Sequence, residues 1–122
     1  MKIENIKFKA KKTLDGKWIK GDLVHHKDSD NVWITDYENQ LTSPVNPSTV
    51  CQFTGLKDCE GNEIWEGDII SSPHFERVAT VKWDDSLCGF KCSDVTGNIN
   101  FCFTAIAHCS EWYIVGNKFD KK

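Results

Sequence analysis

Residues 50–70, VCQFTGLKDCEGNEIWEGDII, decide the fold of this chain. Two apolar, strand-like runs flank a polar turn at residues 58–62, DCEGN. Within the turn, Gly61 is free to take a positive φ, and the Asp58 carboxylate can accept hydrogen bonds from the backbone that follows it. Further along, Gly67 stands before an aspartate and two isoleucines, which predicts a bulge or sharp bend into a buried strand.

Short runs with strand character continue on both sides of this stretch. Residues 3–10 place Ile6, Phe8 and Ala10 on one face and lysines on the other, which is the pattern of a half-buried strand. Similar runs lie at 18–24, 32–35, 77–83, 87–93 and 112–115. About eight short strands with turns every 8–12 residues are typical of all-β proteins. We therefore predict one mainly β domain over residues 1–122, folded as a small barrel or pseudo-barrel with SH3-like bends. We expect its core to contain Phe53, Ile64, Ile69, Ile70, Val81, Phe103 and Ile114.

The same pattern leaves room for at most one or two short helical turns. Residues 36–49 are interpreted as a loop, because Pro44 and Pro47 are incompatible with a central strand. A proline also suits the first position of a helix, so a single helical turn can begin at Asn46 and Pro47. Residues 104–110 fit either a short helix or a strand, since apolar runs of this length do not separate the two.

A weak internal repeat aligns residues 18–24, WIKGDLV, with residues 64–70, IWEGDII. One interpretation is the simple recurrence of a bend before a buried strand. The other is a duplicated half-barrel.

Composition indicates an ordinary globular protein, with 39% hydrophobic and 27% charged residues. No apolar run approaches the roughly 18 residues of a membrane-spanning helix, so we expect no membrane association. The first residues, MKIEN, lack the apolar segment of a secretory signal, and we expect a cytoplasmic location. Reduced thiols are then expected at the six cysteines.

The cysteines and histidines do not form a recognisable site. Cys88 and Cys92 would be about 13 Å apart along an extended strand, too far for one tetrahedral zinc ion unless the strand bends. His25, His26 and His74 are not tied to any one thiol as a nucleophile–base pair would require. We therefore expect no metal, no cofactor and no catalytic residue, and we predict that the protein is not an enzyme.

Lysines crowd the first twenty residues, where only two acidic residues oppose seven lysines. One interpretation is the solvated face of an edge strand, where lysines also block edge-to-edge pairing. The other is a patch that contacts nucleic-acid phosphates, with Trp18 as a stacking platform for bases. The lysines of such a patch would be Lys7, Lys9, Lys11 and Lys12.

Aromatic residues are numerous: five tryptophans, seven phenylalanines and two tyrosines. Each aromatic side chain buries about 150–250 Å², and one small core has limited room for so many of them. By alternation, Trp65 faces outward if Ile64 faces inward, and Trp33 is opposite to Ile34. We therefore predict a homo-oligomer with Trp33 and Trp65 at its interface. The alternative is that loops at residues 36–49 and 71–76 cover these rings within one chain.

The central stretch resembles the signature of the YopX family, small proteins of bacteriophages and prophages. The resemblance is carried by residues 53–58, Gly61 and residues 64–70, with Phe53, Gly55, Gly61, Gly67 and Asp68 as its structural signature. It extends to residues 7–10, 16–18, 21–24, 47–50, 81–83, 89–90 and 113–117. The sequence departs from the family at Lys11, where an aromatic is common, at Cys59, where a lysine or polar residue is common, and after Asn117, where the usual acidic, proline-containing tail is replaced by KFDKK.

The resemblance implies a phage or prophage accessory protein in a bacterial host cell and brings no activity with it. We expect a non-enzymatic assembly or binding protein that acts as a homo-oligomer. The alternative is a nucleic-acid-binding module that uses the lysine-rich segment.

Overall fold

A computed structural model describes residues 2–72, 75–94, 100–102 and 112–120. Over these residues the chain is mainly β, as predicted, with antiparallel strands in two sheets. Helical structure in the described part is limited to 3-10 helices at Ile3–Asn5 and Pro47–Thr49. None of these helices is long and apolar enough to cross a membrane. The described strands do not form a closed barrel, and residues 104–110 lie outside the described ranges.

The strands are β1 Phe8–Lys11, β2 Trp18–His25, β3 Val32–Asp36, β4 Thr42–Val45, β5 Cys51–Lys57, β6 Glu63–Trp65, β7 Asp68–Ser72, β8 Phe75–Asp84, β9 Gly89–Asp94, β10 Asn100–Cys102 and β11 Tyr113–Asn117. Contacts group the chain into two compact units, Met1–Phe53 and Thr54–Lys122, and the boundary falls within β5.

The predicted loop at residues 36–49 contains two elements of regular structure. The helical turn predicted at Pro47 is present, and the Asn46 side chain caps it by accepting a hydrogen bond from the Ser48 N–H at 3.1 Å. The loop interpretation was wrong for β4, which contains Pro44. A proline is tolerated there because β4 lies at the edge of its sheet.

The first unit is built on strands in the order β4-β3-β2-β1, followed by the start of β5. Its core lies on one face of this sheet, because the β1–β2 and β2–β3 registers align apolar residues there. The buried core residues are Ala10, Ile19, Ile34 and Val45. β4 also returns to the end of β1 through a single bridge between Lys12 and Val45, which curls the sheet without closing it.

The second unit contains a sheet in the order β10-β9-β8-β7-β11, and β6 pairs with the end of β5. Its core residues are Ile64, Ile70, Ala79, Val81, Cys92 and Trp112. The burial predicted for Ile64, Ile70 and Val81 is confirmed, and Ile114 packs against the same cluster. The first unit has a separate cluster, which contains none of the residues predicted for the core.

Three other residues assigned to that single core have different outcomes. Ile69 is half-buried, because it alternates with Ile70 along β7 and points to the opposite face of the sheet. Phe53 is buried at the end of the first unit. Phe103 lies outside the described residues.

The two Gly-Asp pairs of the internal repeat have different structural roles. Gly21 lies within the continuous strand β2, where an added Cβ would be 1.8 Å from the Thr35 carbonyl oxygen. Gly67 lies in a turn and has φ +88. The first glycine permits close strand pairing, and the second permits a turn. The two segments of the sequence repeat therefore have different local structures.

Replacing Gly67 with valine should destabilise the protein by about 1–3 kcal/mol, because a β-branched residue is strained at positive φ. The turn is tightly bonded: the Gly67 N–H donates to the Val81 carbonyl at 2.8 Å, and its own carbonyl accepts from Lys118 N–H at 2.9 Å. Urea unfolding monitored by circular dichroism would measure the loss. Gly116→Val is the matched control, since Gly116 lies in β11 and has no atom within 4 Å of its added Cβ. Equal stability of the two variants would contradict the role assigned to the turn.

Candidate functional site

The lysines of the first strand lie on the face of the first unit that is opposite its core. In the β1–β2 register, Lys9 pairs with Lys20 and Lys11 pairs with Trp18. Directly paired residues of antiparallel strands point to the same side of a sheet. The alternation along β1 places Lys7 there as well. We call this surface the lysine face, defined by Lys7, Lys9, Lys11, Trp18 and Lys20.

The ring of Trp18 packs against lysines of its own sheet. The Nζ atoms of Lys9 and Lys11 lie 4.6 Å and 5.3 Å from the Trp18 ring centroid. Lys7 Nζ lies 4.7 Å from the ring centroid of Phe53. These distances are within the range of cation–π attraction. A nucleic-acid base that stacked on Trp18 would have to compete with these ammonium groups for the ring.

Lys12 points to a different neighbour. Its ammonium group lies 3.3 Å from the Asp15 carboxylate in the β1–β2 turn. The pKa of the Asp15 carboxyl is lowered, chiefly by a hydrogen bond from the Lys17 N–H and also by Lys12. Desolvation opposes this shift but does not cancel it. The structure therefore brings Lys9, Lys11 and Trp18 together and leaves Lys12 in the adjacent turn.

Two cavities flank Tyr37 in the first unit, and sequence patterns did not indicate them. A cavity of about 280 Å³ is lined by Trp18, Ile19, Lys20, Asp36, Tyr37 and Glu38. A cavity of about 410 Å³ is lined by Ile3, Glu4, Ile6, Lys7, Asp22 and Tyr37. The Tyr37 hydroxyl donates to the Ile6 carbonyl at 3.3 Å. The lining comes from three separate stretches of chain, so no local motif marks it.

Trp33 lies on the same side of the sheet as the lysine face, and its neighbours in the adjacent strands are apolar. Its cross-strand partners are Val24 in β2 and Pro44 in β4. His26 contacts the ring edge-on, with 5.4 Å between centroids. Trp33 is half-buried, whereas Ile34 is fully buried on the other face. We call Val24, Trp33 and Pro44 the apolar strip.

The outward orientation predicted for Trp65 was wrong. Its side chain is only 2% exposed, and the preceding Ile64 is fully buried. Alternation failed because β6 is just three residues long and ends at the turn around Gly67. Both faces of such a short strand can be covered, so adjacent side chains are buried together. Trp65 is therefore not available on the surface of this chain to form an interface.

Asp58 organises the central turn. Its carboxylate accepts hydrogen bonds from the N–H groups of Glu60 at 2.9 Å, Asn62 at 2.8 Å and Ile114 at 3.2 Å. Nearby, the Cys59 N–H donates to the Trp112 carbonyl at 2.9 Å. The bonds to Ile114 and Trp112 attach the turn to β11 and to the residue before it.

The other signature residues also hold the backbone of the second unit. The Asp68 carboxylate accepts a hydrogen bond from the Trp65 N–H at 2.7 Å and one from Asn117 Nδ2 at 3.0 Å. Gly55, Gly61 and Gly67 have φ values of +88, +86 and +88. Gly61 and Gly67 lie in turns, whereas Gly55 lies within β5.

The described cysteines do not cluster. Cys51 and Cys92 are buried, whereas Cys59 and Cys88 are exposed, and all four are thiols. Across the described ranges, no three histidine, cysteine or acidic residues are arranged to hold a metal ion. Cys109 and the side chain of Cys102 lie outside the described residues.

Comparison with protein families matches residues 7–121 to the YopX protein family. No match was found among curated proteins. The family match runs from the residue before β1 to the residues after β11 and includes the Asp58 turn and the Gly67–Asp68 bend. A match over this length shows that the chain belongs to the YopX family.

Proposed function

We propose that this protein is a non-enzymatic binding protein of a bacteriophage or prophage, which acts as a homo-oligomer in the cytoplasm of the host cell. The observation that carries the proposal is the apolar strip. Val24 and Trp33 are half-buried and Pro44 is exposed, and the strand register places the three side by side across β2, β3 and β4.

A second copy of the chain is the partner that we propose for the strip. Aromatic residues are enriched where protein surfaces associate, and tryptophan is prominent among the residues that dominate binding energy. In a two-fold dimer the same patch meets itself, so a strip without charged side chains has no like-charge repulsion to overcome. The edge contact from His26 holds the Trp33 ring in place.

Light scattering after size-exclusion chromatography should give a mass that is a multiple of 13.9 kDa at roughly tens of micromolar protein. Trp33→Ser should lower this mass, because it removes the largest apolar group of the strip. Trp83→Ser is the matched control, since Trp83 is 44% exposed but lies on the β8–β9 hairpin. A mass near that of one chain for the unmodified protein would refute the proposal.

Nucleic-acid binding by the lysine face is the second candidate, and the grouping of Lys9 and Lys11 around Trp18 favours it. We expect at most weak binding to single-stranded DNA, because the formal net charge is −3 and the Trp18 ring already contacts lysines. Any affinity should fall steeply with salt as counterion release predicts.

Fluorescence anisotropy with a labelled oligonucleotide over a salt series would measure this affinity. Tight binding at physiological salt that is lost when Lys9, Lys11 and Lys12 become serine would make nucleic-acid binding the leading function. Lys27→Ser is the control for the loss of charge, because Lys27 is an exposed lysine in the β2–β3 turn.

A further inference from the structure

We propose that the two cavities beside Tyr37 form one groove, which binds an extended peptide segment with two basic side chains. This inference rests on the proposed function as a binding protein and names a class of partner for it. The partner segment lies across Tyr37 and places one basic side chain in each cavity.

Tyr37 is the shared wall of the groove. It lines both cavities, and its side chain is 47% exposed. The hydrogen bond from its hydroxyl to the Ile6 carbonyl fixes the ring between them. An exposed ring held in one orientation offers a flat apolar surface to a peptide backbone or a proline ring at little cost in conformational entropy.

The charge of each cavity selects a basic side chain. Asp36 and Glu38 oppose Lys20 in the smaller cavity, and Glu4 and Asp22 oppose Lys7 in the larger one. Each cavity therefore has an excess of one negative charge. The ammonium group of Lys7 is also drawn toward the Phe53 ring, 4.7 Å from its centroid.

The apolar lining suits the stems of such side chains. Ile3 is 85% exposed and Ile6 is 43% exposed, and both line the larger cavity. The long methylene stems of lysine and arginine pack on surfaces of this kind while their charged ends reach carboxylates. Four carboxylates along the groove would repel the phosphates of a nucleic acid, so a peptide is the better complement.

The spacing of the cavities fits an extended chain. Lys20 lines one cavity and Asp22 lines the other, and these residues are two positions apart in β2. Two residues of a strand span about 6.6 Å, which is the same distance that separates residues i and i+2 of an extended peptide. Basic side chains two or three positions apart should therefore reach both cavities at once.

Selection from a display library of random dodecamer peptides on the immobilised full-length protein tests the proposal. The enriched sequences should carry two basic residues separated by one or two positions. A labelled synthetic copy of an enriched peptide should then bind at least about tenfold more weakly to Glu38→Lys, Asp22→Lys and Tyr37→Ser, because each variant removes charge complementarity or the shared wall.

Asp28→Lys is the matched control, since it makes the same charge change at an exposed position in the β2–β3 turn, away from the cavity linings. Circular dichroism confirms that each variant is folded. An equal loss of binding for Asp28→Lys, enriched peptides without basic pairs, no enrichment, or displacement of the peptide by single-stranded DNA would each overturn the proposal. Light scattering of the same samples reports separately on the homo-oligomer, so a failure of peptide binding is distinguishable from a failure of the proposed assembly.

Discussion

Replacing Trp65 with alanine should destabilise the folded protein by about 3–5 kcal/mol, as expected when a large buried aromatic side chain is removed from a core. Trp65 is 2% exposed, and its backbone N–H donates to the Asp68 carboxylate at 2.7 Å, so the buried ring projects from a backbone that is anchored at the bend. Urea unfolding at low protein concentration would measure the change without a contribution from self-association.

Trp33→Ala is the control for this prediction, because Trp33 is only half-buried. It should cost much less stability and should act mainly on the mass in solution. If Trp65→Ala instead lowered the mass in solution and left the unfolding free energy unchanged, the burial of Trp65 would be contradicted. Trp65 would then again be a candidate for the oligomer interface.

Replacing Asp58 with alanine should cost about 2–4 kcal/mol, because it removes the acceptor of three backbone N–H groups. The donor on Ile114 is the most consequential of the three, since it joins the turn to β11. Asp15→Ala is the matched control, because the Asp15 carboxylate is exposed and accepts a single backbone hydrogen bond from Lys17. It should cost less than about 1 kcal/mol.

The effect of Asp58 should depend on pH in a defined direction. Desolvation opposes ionisation of this carboxyl, but hydrogen bonds from Asn62, Ile114 and Glu60 outweigh it and lower its pKa below the ordinary value of an aspartate. A group with a lowered pKa in the folded state stabilises the protein above its unfolded pKa, and this contribution is lost as the pH falls through its folded pKa. The stability difference between the unmodified protein and Asp58→Ala should therefore shrink between about pH 4 and more acidic values.

The comparison with the variant is needed because other carboxyls also have a lowered pKa, so their contributions to stability are also lost on acidification. Hydrogen bonds from Lys91 and Ser86 hold the pKa of Asp84 well below its ordinary value, and the pKa of Asp15 is lowered as well. The pH dependence of stability of the unmodified protein therefore contains contributions from several carboxyl groups. A stability difference between it and Asp58→Ala that grew on acidification would contradict the account of Asp58.

Local chemistry made much of the fold predictable from the sequence. Alternation of apolar and polar residues marked β1 and β8, and turn residues marked the turn at residues 58–62. The combination of Asn46 and Pro47 indicated a helical turn, which is present. These features depend on neighbouring residues and on backbone φ preferences, so a single sequence carries them.

The candidate site was predictable only in part. The concentration of lysines near Trp18 was visible in the sequence, but their packing on its ring depends on the β1–β2 register. The groove at Tyr37 was not predictable, because its walls come from residues 3–7, 18–22 and 36–38. No periodicity connects stretches so far apart in the chain.

By itself, the sequence determined the β class, the family and the turns at Gly61 and Gly67, because strand alternation and positive φ are local properties. Tertiary structure alone decided that the buried residues form two clusters rather than one. It also decided that Trp65 is buried beside Ile64 and that Asp58 bonds to Ile114, 56 residues away. Neighbouring strands decide whether both faces of a short strand are buried and which group a turn carboxylate binds. These neighbours are fixed only when the whole chain has folded.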